Sequence, residues 1–212
     1  LSNTKISNAL IVVAIFAPFY LNDLLLESTS SAFSWVAMDA AVRIFVVGFA
    51  VAIPSIRMIL KQWLKAPPRS SWGWYFIITC VALLGFDALV TFPLVEAFPD
   101  WYWQVGGFPG YDTYTLRILD VTFGLMLVAV SEEVVWRGVF RHLYERYSCN
   151  RVGLIVMSAF LFALIHWGRG PVGMLMPFVS GVILMVIFLR TGSLLPGMAV
   201  HYTVNLFYYA QN

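Results

Sequence analysis

The sequence predicts an all-α, polytopic transmembrane helical bundle of about six to eight spans, in one domain covering residues 1–212. Three observations predict it. Of the 212 residues, 60% are hydrophobic and only 11% are charged, and mean hydropathy is +0.81. A soluble domain carries about 25% charged and 45–50% apolar residues. The apolar residues fall in runs close to the roughly 20 that a membrane-crossing helix needs. Lys and Arg then collect in alternate connections between those runs, as membrane topology requires.

Taken in order, the first run is 8–26. Further runs follow it, so it reads as a span and not as a removable signal peptide. The second, 35–56, carries Asp39 and Arg43. They are four apart on one helical face and are expected to form a structural ion pair. The third, 74–95, holds Asp87 without a local partner. The fourth, 116–140, has Asp120 near one end and SEEVVWRGVF at the other. The fifth and seventh, 152–168 and 194–210, are short, and the seventh contains Pro196 and His201. Six spans with one re-entrant segment is therefore the alternative reading. In and before the sixth, 171–190, glycines at 168, 170, 173 and 181 suit close helix approach. Strands are not expected, because the runs are too long for membrane strands and lack period-two alternation.

The connections set an orientation. Arg57, Lys61, Lys65 and Arg69 lie in 57–69, Arg141, Arg146 and Arg151 in 141–151, and Arg190 in the 190–193 turn. These are expected on the cytoplasmic side. The 27–34 and 96–115 connections carry Glu27, Glu96, Asp100 and Asp112 and no Lys or Arg. They are expected outside, with Trp101, Tyr102 and Trp103 at the interface. Pro67–Pro68 is read as a break between elements, and GGFPGY, 106–111, as a connector. The net charge of +2 and the lack of a basic run exclude nucleic acid as a partner. Cys80 and Cys149 form neither a disulfide framework nor a CxxC metal motif.

Ionisable residues inside a membrane cost about 2.5–3.5 kcal/mol each on insertion scales, which makes them functional candidates. Glu133 and Arg137 are four apart and can pair, while Glu132 is turned about 100° away and left free for work. FALIH, 162–166, puts Phe162 and His166 on one face. HYTVN, 201–205, does the same for His201 and Asn205, both hydrogen-bond donors. Each group alone also reads as structural pairing or interhelical glue. Together they supply a carboxylate and an imidazole that can activate water, and an imidazole and an amide that can stabilise an oxyanion. Glu132 and His166 are symmetric about Cys149. A hairpin turning in YSCN, 147–150, would bring them to one height, ~25 Å from the turn.

At these residues the sequence resembles a known family. EEVVWR, 132–137, is similar to the EExxxR motif of the CPBP family, which includes type II CAAX prenyl endopeptidase-like intramembrane proteases. FALIH and HYTVN are similar to its FxxxH and HxxxN motifs, in the family's order. The resemblance covers about 116–210. Trp136 stands where Phe is common, and every polar position is intact. The resemblance implies an α-helical membrane bundle with a buried polar cavity. It implies that Glu132 and His166 activate water in a glutamic-type mechanism and that His201 and Asn205 form an oxyanion hole. It also implies that Glu133 and Arg137 support the site or contact substrate. The expected partners are the lipid bilayer and a membrane-embedded or lipid-anchored protein or peptide, cut in C-terminal processing or sorting. No cofactor is expected. The short chain looks prokaryotic, which predicts the plasma (inner) membrane with a cytoplasmic N-terminus.

Two alternatives stand beside the glutamic endopeptidase. Glu, His and His could hold Zn²⁺ in a metal-dependent protease, which the absence of HExxH disfavours. The buried polar groups could instead serve a non-catalytic peptide-binding or immunity protein, or an ion path. No inverted repeat favours a transporter.

Overall fold

The computed structural model describes residues 3–27, 31–67, 72–103, 105 and 110–211. Pro68, Arg69 and most of GGFPGY, 106–109, lie outside them. The described residues are helical with no strand, so the all-α reading holds.

The helices run α1 Asn3–Glu27, α2 Ala32–Ala52, α3 Pro54–Trp63, α4 Trp72–Phe86, α5 Phe92–Ala97, α6 Tyr114–Leu119, α7 Leu125–Glu132, α8 Phe140–Tyr144, α9 Arg151–Leu164, α10 Gly170–Gly173, α11 Leu175–Thr191 and α12 Leu195–Gln211. Their limits follow local chemistry. The Ser31, Thr113 and Asn150 side chains each accept an amide of the first turn of α2, α6 and α9. Pro54 pushes Ile53 into an extended conformation, so α2 stops at Ala52, short of the predicted 56. Beyond it α3 is amphipathic, burying Ile56 and Leu60 and leaving Arg57 and Lys61 exposed. Gly192, at φ +66°, closes α11.

The third and fourth predicted spans are continuous rods broken by π-helical turns at Asp87–Thr91, Asp120–Gly124 and Glu133–Val139. A π turn shifts the facing of everything beyond it, which a regular 3.6-residue reading cannot anticipate. The fifth predicted span ends at Leu164 instead of 168. There the chain bends by 64° before Trp167–Gly173.

By length and composition, Ala32–Ala52 and Trp72–Ala97 can each cross a membrane, and Arg151–Gly173 makes a third if its bent halves count as one. The helices fill all seven predicted runs, but breaks and bends leave several too short to pass alone. Val13, Phe33, Ile44, Ile78, Val81 and Leu89 are exposed large apolar side chains on α1, α2, α4 and the π turn after it, a surface suited to lipid.

Trp136 anchors the main core. It is fully buried and meets Phe16, Phe19 and Tyr20 edge-on at centroid distances of 5.0, 6.1 and 5.9 Å. Ser158 Oγ donates to the Trp136 carbonyl at 2.7 Å, which ties α9 to the Glu133–Val139 turn. A smaller cluster of Cys80, Leu83, Leu184, Ile187 and Val200 joins α4, α11 and α12. At one end the basic connections gather: the Leu194 amide donates to the Trp63 carbonyl, Ser193 Oγ donates to that of Lys65, and Arg141 lies over the Trp63 ring. At another point the Val105 amide donates to the Gly168 carbonyl, tying the aromatic loop to the break after α9.

Candidate functional site

Among the described residues, the charged segment is the longest unbroken buried stretch. Every residue of Ser131–Val139 is buried, and Arg137 is fully so. Two ion pairs make that burial tolerable, because a buried charge is stable only when paired. Arg137 Nε lies 3.2 Å from Glu133 Oε2, the predicted i,i+4 pair. The Arg137 guanidinium also sits over the Phe162 ring, 4.4 Å from its centroid, a cation–π contact.

Glu133 has a second partner. His201 Nδ1 is 3.0 Å from Glu133 Oε1. A carboxylate only accepts, so Nδ1 carries a proton there. Gly197, one turn before His201, permits this approach: a Cβ on it would lie 3.0 Å from Glu133 Oε2. The other ring nitrogen, Nε2, is 3.6 Å from Glu132 Oε2. Both glutamates therefore face His201. That corrects the expectation that Glu132 turns to a separate face. The physical reason is that Glu133 opens a π turn and both arms are long enough to flank one imidazole.

Glu132 is held from a helix outside the predicted site. Arg43 on α2 donates from Nη1 to Glu132 Oε1 at 2.8 Å and to Ser131 Oγ at 3.2 Å. Its Nε donates to Asp39 Oδ2 at 2.7 Å, and Asn22 Nδ2 on α1 donates to Asp39 Oδ1 at 2.8 Å. The expected Asp39–Arg43 pair forms, but it is not self-contained. A sequence signal existed: SEEVVWRGVF carries two acids and one base, so one buried carboxylate needed a distant cation. The Glu132 Oε2 atom is buried and accepts no hydrogen bond among the described residues.

His166 lies just past the end of α9 with its Nδ1 3.2 Å from the Phe162 carbonyl. That contact makes Nδ1 the donor and leaves Nε2 as the free acceptor of a neutral ring. Phe162 stands edge-on to both His166 and His201, at 5.2 and 6.1 Å between centroids. His166 makes no hydrogen bond to Glu132 among the described residues, and the two interact electrostatically. Asn205 follows His201 by one turn of α12 and is half-buried.

Three carboxylates and two guanidiniums leave this cluster one negative charge. Among the described residues, no group of three His, Cys, Asp or Glu side chains is arranged to hold a metal ion.

Residues 114–207 match the family model of the Rce1-like proteins, described as type II CAAX prenyl endopeptidase Rce1-like. The match runs from the start of α6 into α12 and contains all three motifs. It is the family to which EEVVWR, FALIH and HYTVN pointed. No curated protein and no solved structure matches the chain.

Proposed function

We propose that this integral membrane protein is an intramembrane endopeptidase of the glutamic type, acting on a membrane-embedded or lipid-anchored protein or peptide. The observation that carries the reading is Glu132: one oxygen is fixed by Arg43, and the other is buried, accepts no hydrogen bond and lies 3.6 Å from His201 Nε2. A base must be in hydrogen-bond reach of the proton it takes, and an oxygen already committed to structure is not.

In this reading a water molecule sits against Glu132 Oε2 and His166 Nε2. Glu132 takes a proton as the water oxygen attacks the scissile carbonyl. His201 Nε2–H and the Asn205 amide donate to the tetrahedral oxyanion, where preorganised donors are worth most. Glu133 anchors His201 through Nδ1, so Nε2 faces the reacting carbon. Collapse of the intermediate breaks the C–N bond, and the proton on Glu132 passes to the leaving amine. Arg137 and Glu133 support the site from below Phe162. A polar cavity admitting water and substrate, about six to eight spans, and a cytoplasmic basic end belong to the same proposal. C-terminal processing or sorting is the preferred role.

The test compares protein termini in host membranes carrying wild type or Glu132→Ala at matched levels. Discrete new termini seen only with wild type are expected. Loss by His166→Ala and His201→Ala should match. Full cleavage by Glu132→Ala would sink the assignment, and loss of wild-type cleavage with a chelator would favour a metal-dependent protease.

A further inference from the structure

Asn22 on α1 and Asp39 and Arg43 on α2 belong to none of the three motifs and lie outside the matched residues 114–207, yet they form a polar chain that ends on Glu132 of α7. Asn22, Asp39 and Arg43 are each buried. Each contact in the chain is short: Asn22 to Asp39 at 2.8 Å, Arg43 to Asp39 at 2.7 Å and Arg43 to Glu132 at 2.8 Å. Arg43 also donates to Ser131 Oγ, whose own proton goes to the Val128 carbonyl. A structural fastener between α2 and α7 would need only one of these bonds. The set instead fixes the guanidinium from behind through Asp39 and presents Nη1 to one chosen oxygen of Glu132.

We infer that Arg43, oriented by Asp39 and Asn22, is the positioning residue of Glu132. It fixes Oε1 and leaves Oε2 as the oxygen that meets water. This inference rests on the proposed proteolytic reading for its consequence in turnover, but its geometric content stands apart from substrate. Arg43 does two things. Its bond sets the orientation of the carboxylate. Its charge, at ion-pair distance, favours the ionised form that a base must have. The other groups facing Glu132 cannot replace it. Glu133, on the same segment, repels. Arg137 is committed to Glu133. His201 from α12 is shared with Glu133, and His166 beyond α9 makes no bond to Glu132. Asp120 interacts electrostatically with Asp39 and Arg43 and adds negative charge to the same region.

The experiment uses the full chain in lipid nanodiscs and host membranes as the source of substrate, with Arg43→Gln, Arg43→Lys and Asp39→Asn. Two readouts are taken across pH. One is the rate at which wild-type-dependent termini appear. The other is the infrared absorption of the protonated Glu132 carboxyl, identified by subtracting Glu132→Gln, which needs no substrate. Arg43→Gln is expected to lower the neutral-pH rate by about 100-fold. It should also move the acid limb of the pH profile upward, with matching growth of the protonated band. Arg43→Lys restores the pH profile because the cation returns, with a rate below wild type because Lys lacks the planar fork that Asp39 orients. Asp39→Asn falls between. A folded Arg43→Gln protein with the wild-type pH profile and carboxyl band would overturn the inference. So would a rate loss equal at every pH that Lys does not rescue. If wild type yields no termini, the proteolytic reading fails, and the carboxyl band still decides whether Arg43 governs Glu132.

Discussion

Replacing Glu133 by Gln tests how the buried charges are held. Glu133 and Arg137 are 1% and 0% exposed at their side chains. Glu133 is the one carboxylate within ion-pair distance of Arg137 among the described residues, whereas Glu133 itself also holds His201. The neutral variant strands a guanidinium whose terminal nitrogens already make no hydrogen bond. Stranding a buried charge costs about 3–5 kcal/mol, or roughly 10 °C in melting temperature for a chain of this size. Arg137→Met should cost less, because His201 remains beside the carboxylate. The double variant Glu133→Gln/Arg137→Met should return to within about 2 kcal/mol of wild type, since removing both charges together leaves nothing stranded. Cleavage should stay low in the double variant, because His201 Nδ1 has lost its anchor. Cys80 is buried and Cys149 exposed. Thiol labelling of Cys80 in a Cys149→Ser background therefore reports unfolding during a temperature ramp. A double variant as unstable as the sum of the two singles would refute the argument.

Two backbone positions give further tests. Gly170 has φ +71° and ψ 175°, a region essentially restricted to glycine, and a Cβ there would lie 2.6 Å from the Trp101 carbonyl oxygen. Gly170→Ala should cost at least about 1–3 kcal/mol and slow cleavage by displacing the turn after His166, read by the same labelling and by terminal analysis. A Cβ on Gly181 would lie 2.8 Å from Ala159 Cα, where α11 meets α9. Gly181→Val should therefore destabilise by about 1–3 kcal/mol or more. Gly48→Ala, inside α2 with open space at its Cβ, serves as the control that should not lower the melting temperature and should raise it slightly, since Ala favours a helix interior over Gly by about 0.5–1 kcal/mol.

Much of this protein was legible in one dimension. Hydropathy alone placed the seven helical runs, because apolar length is a local property of the chain. The connections that the Lys and Arg bias grouped touch one another through Trp63, Lys65, Arg141, Ser193 and Leu194. Helical spacing gave the Glu133–Arg137 and Asp39–Arg43 pairs, which lie within one turn. The three motifs pointed to the family whose model residues 114–207 match. What spacing could not give was which neighbours Glu132 meets at the start of the π turn. Glu132 was expected to point away from its neighbour, and the Glu133–Val139 turn sets both on His201 instead. Nor could sequence assign Arg43 to Glu132 across 89 positions, since Asp39 already satisfied it locally. That choice was made by the packing of α2 against α7, where two buried acids and one arginine needed a second cation. The sequence by itself determined which residues are chemically competent. Only the tertiary structure decided which oxygen of Glu132 is bound and which is free, because that depends on a helix arriving from the other half of the chain.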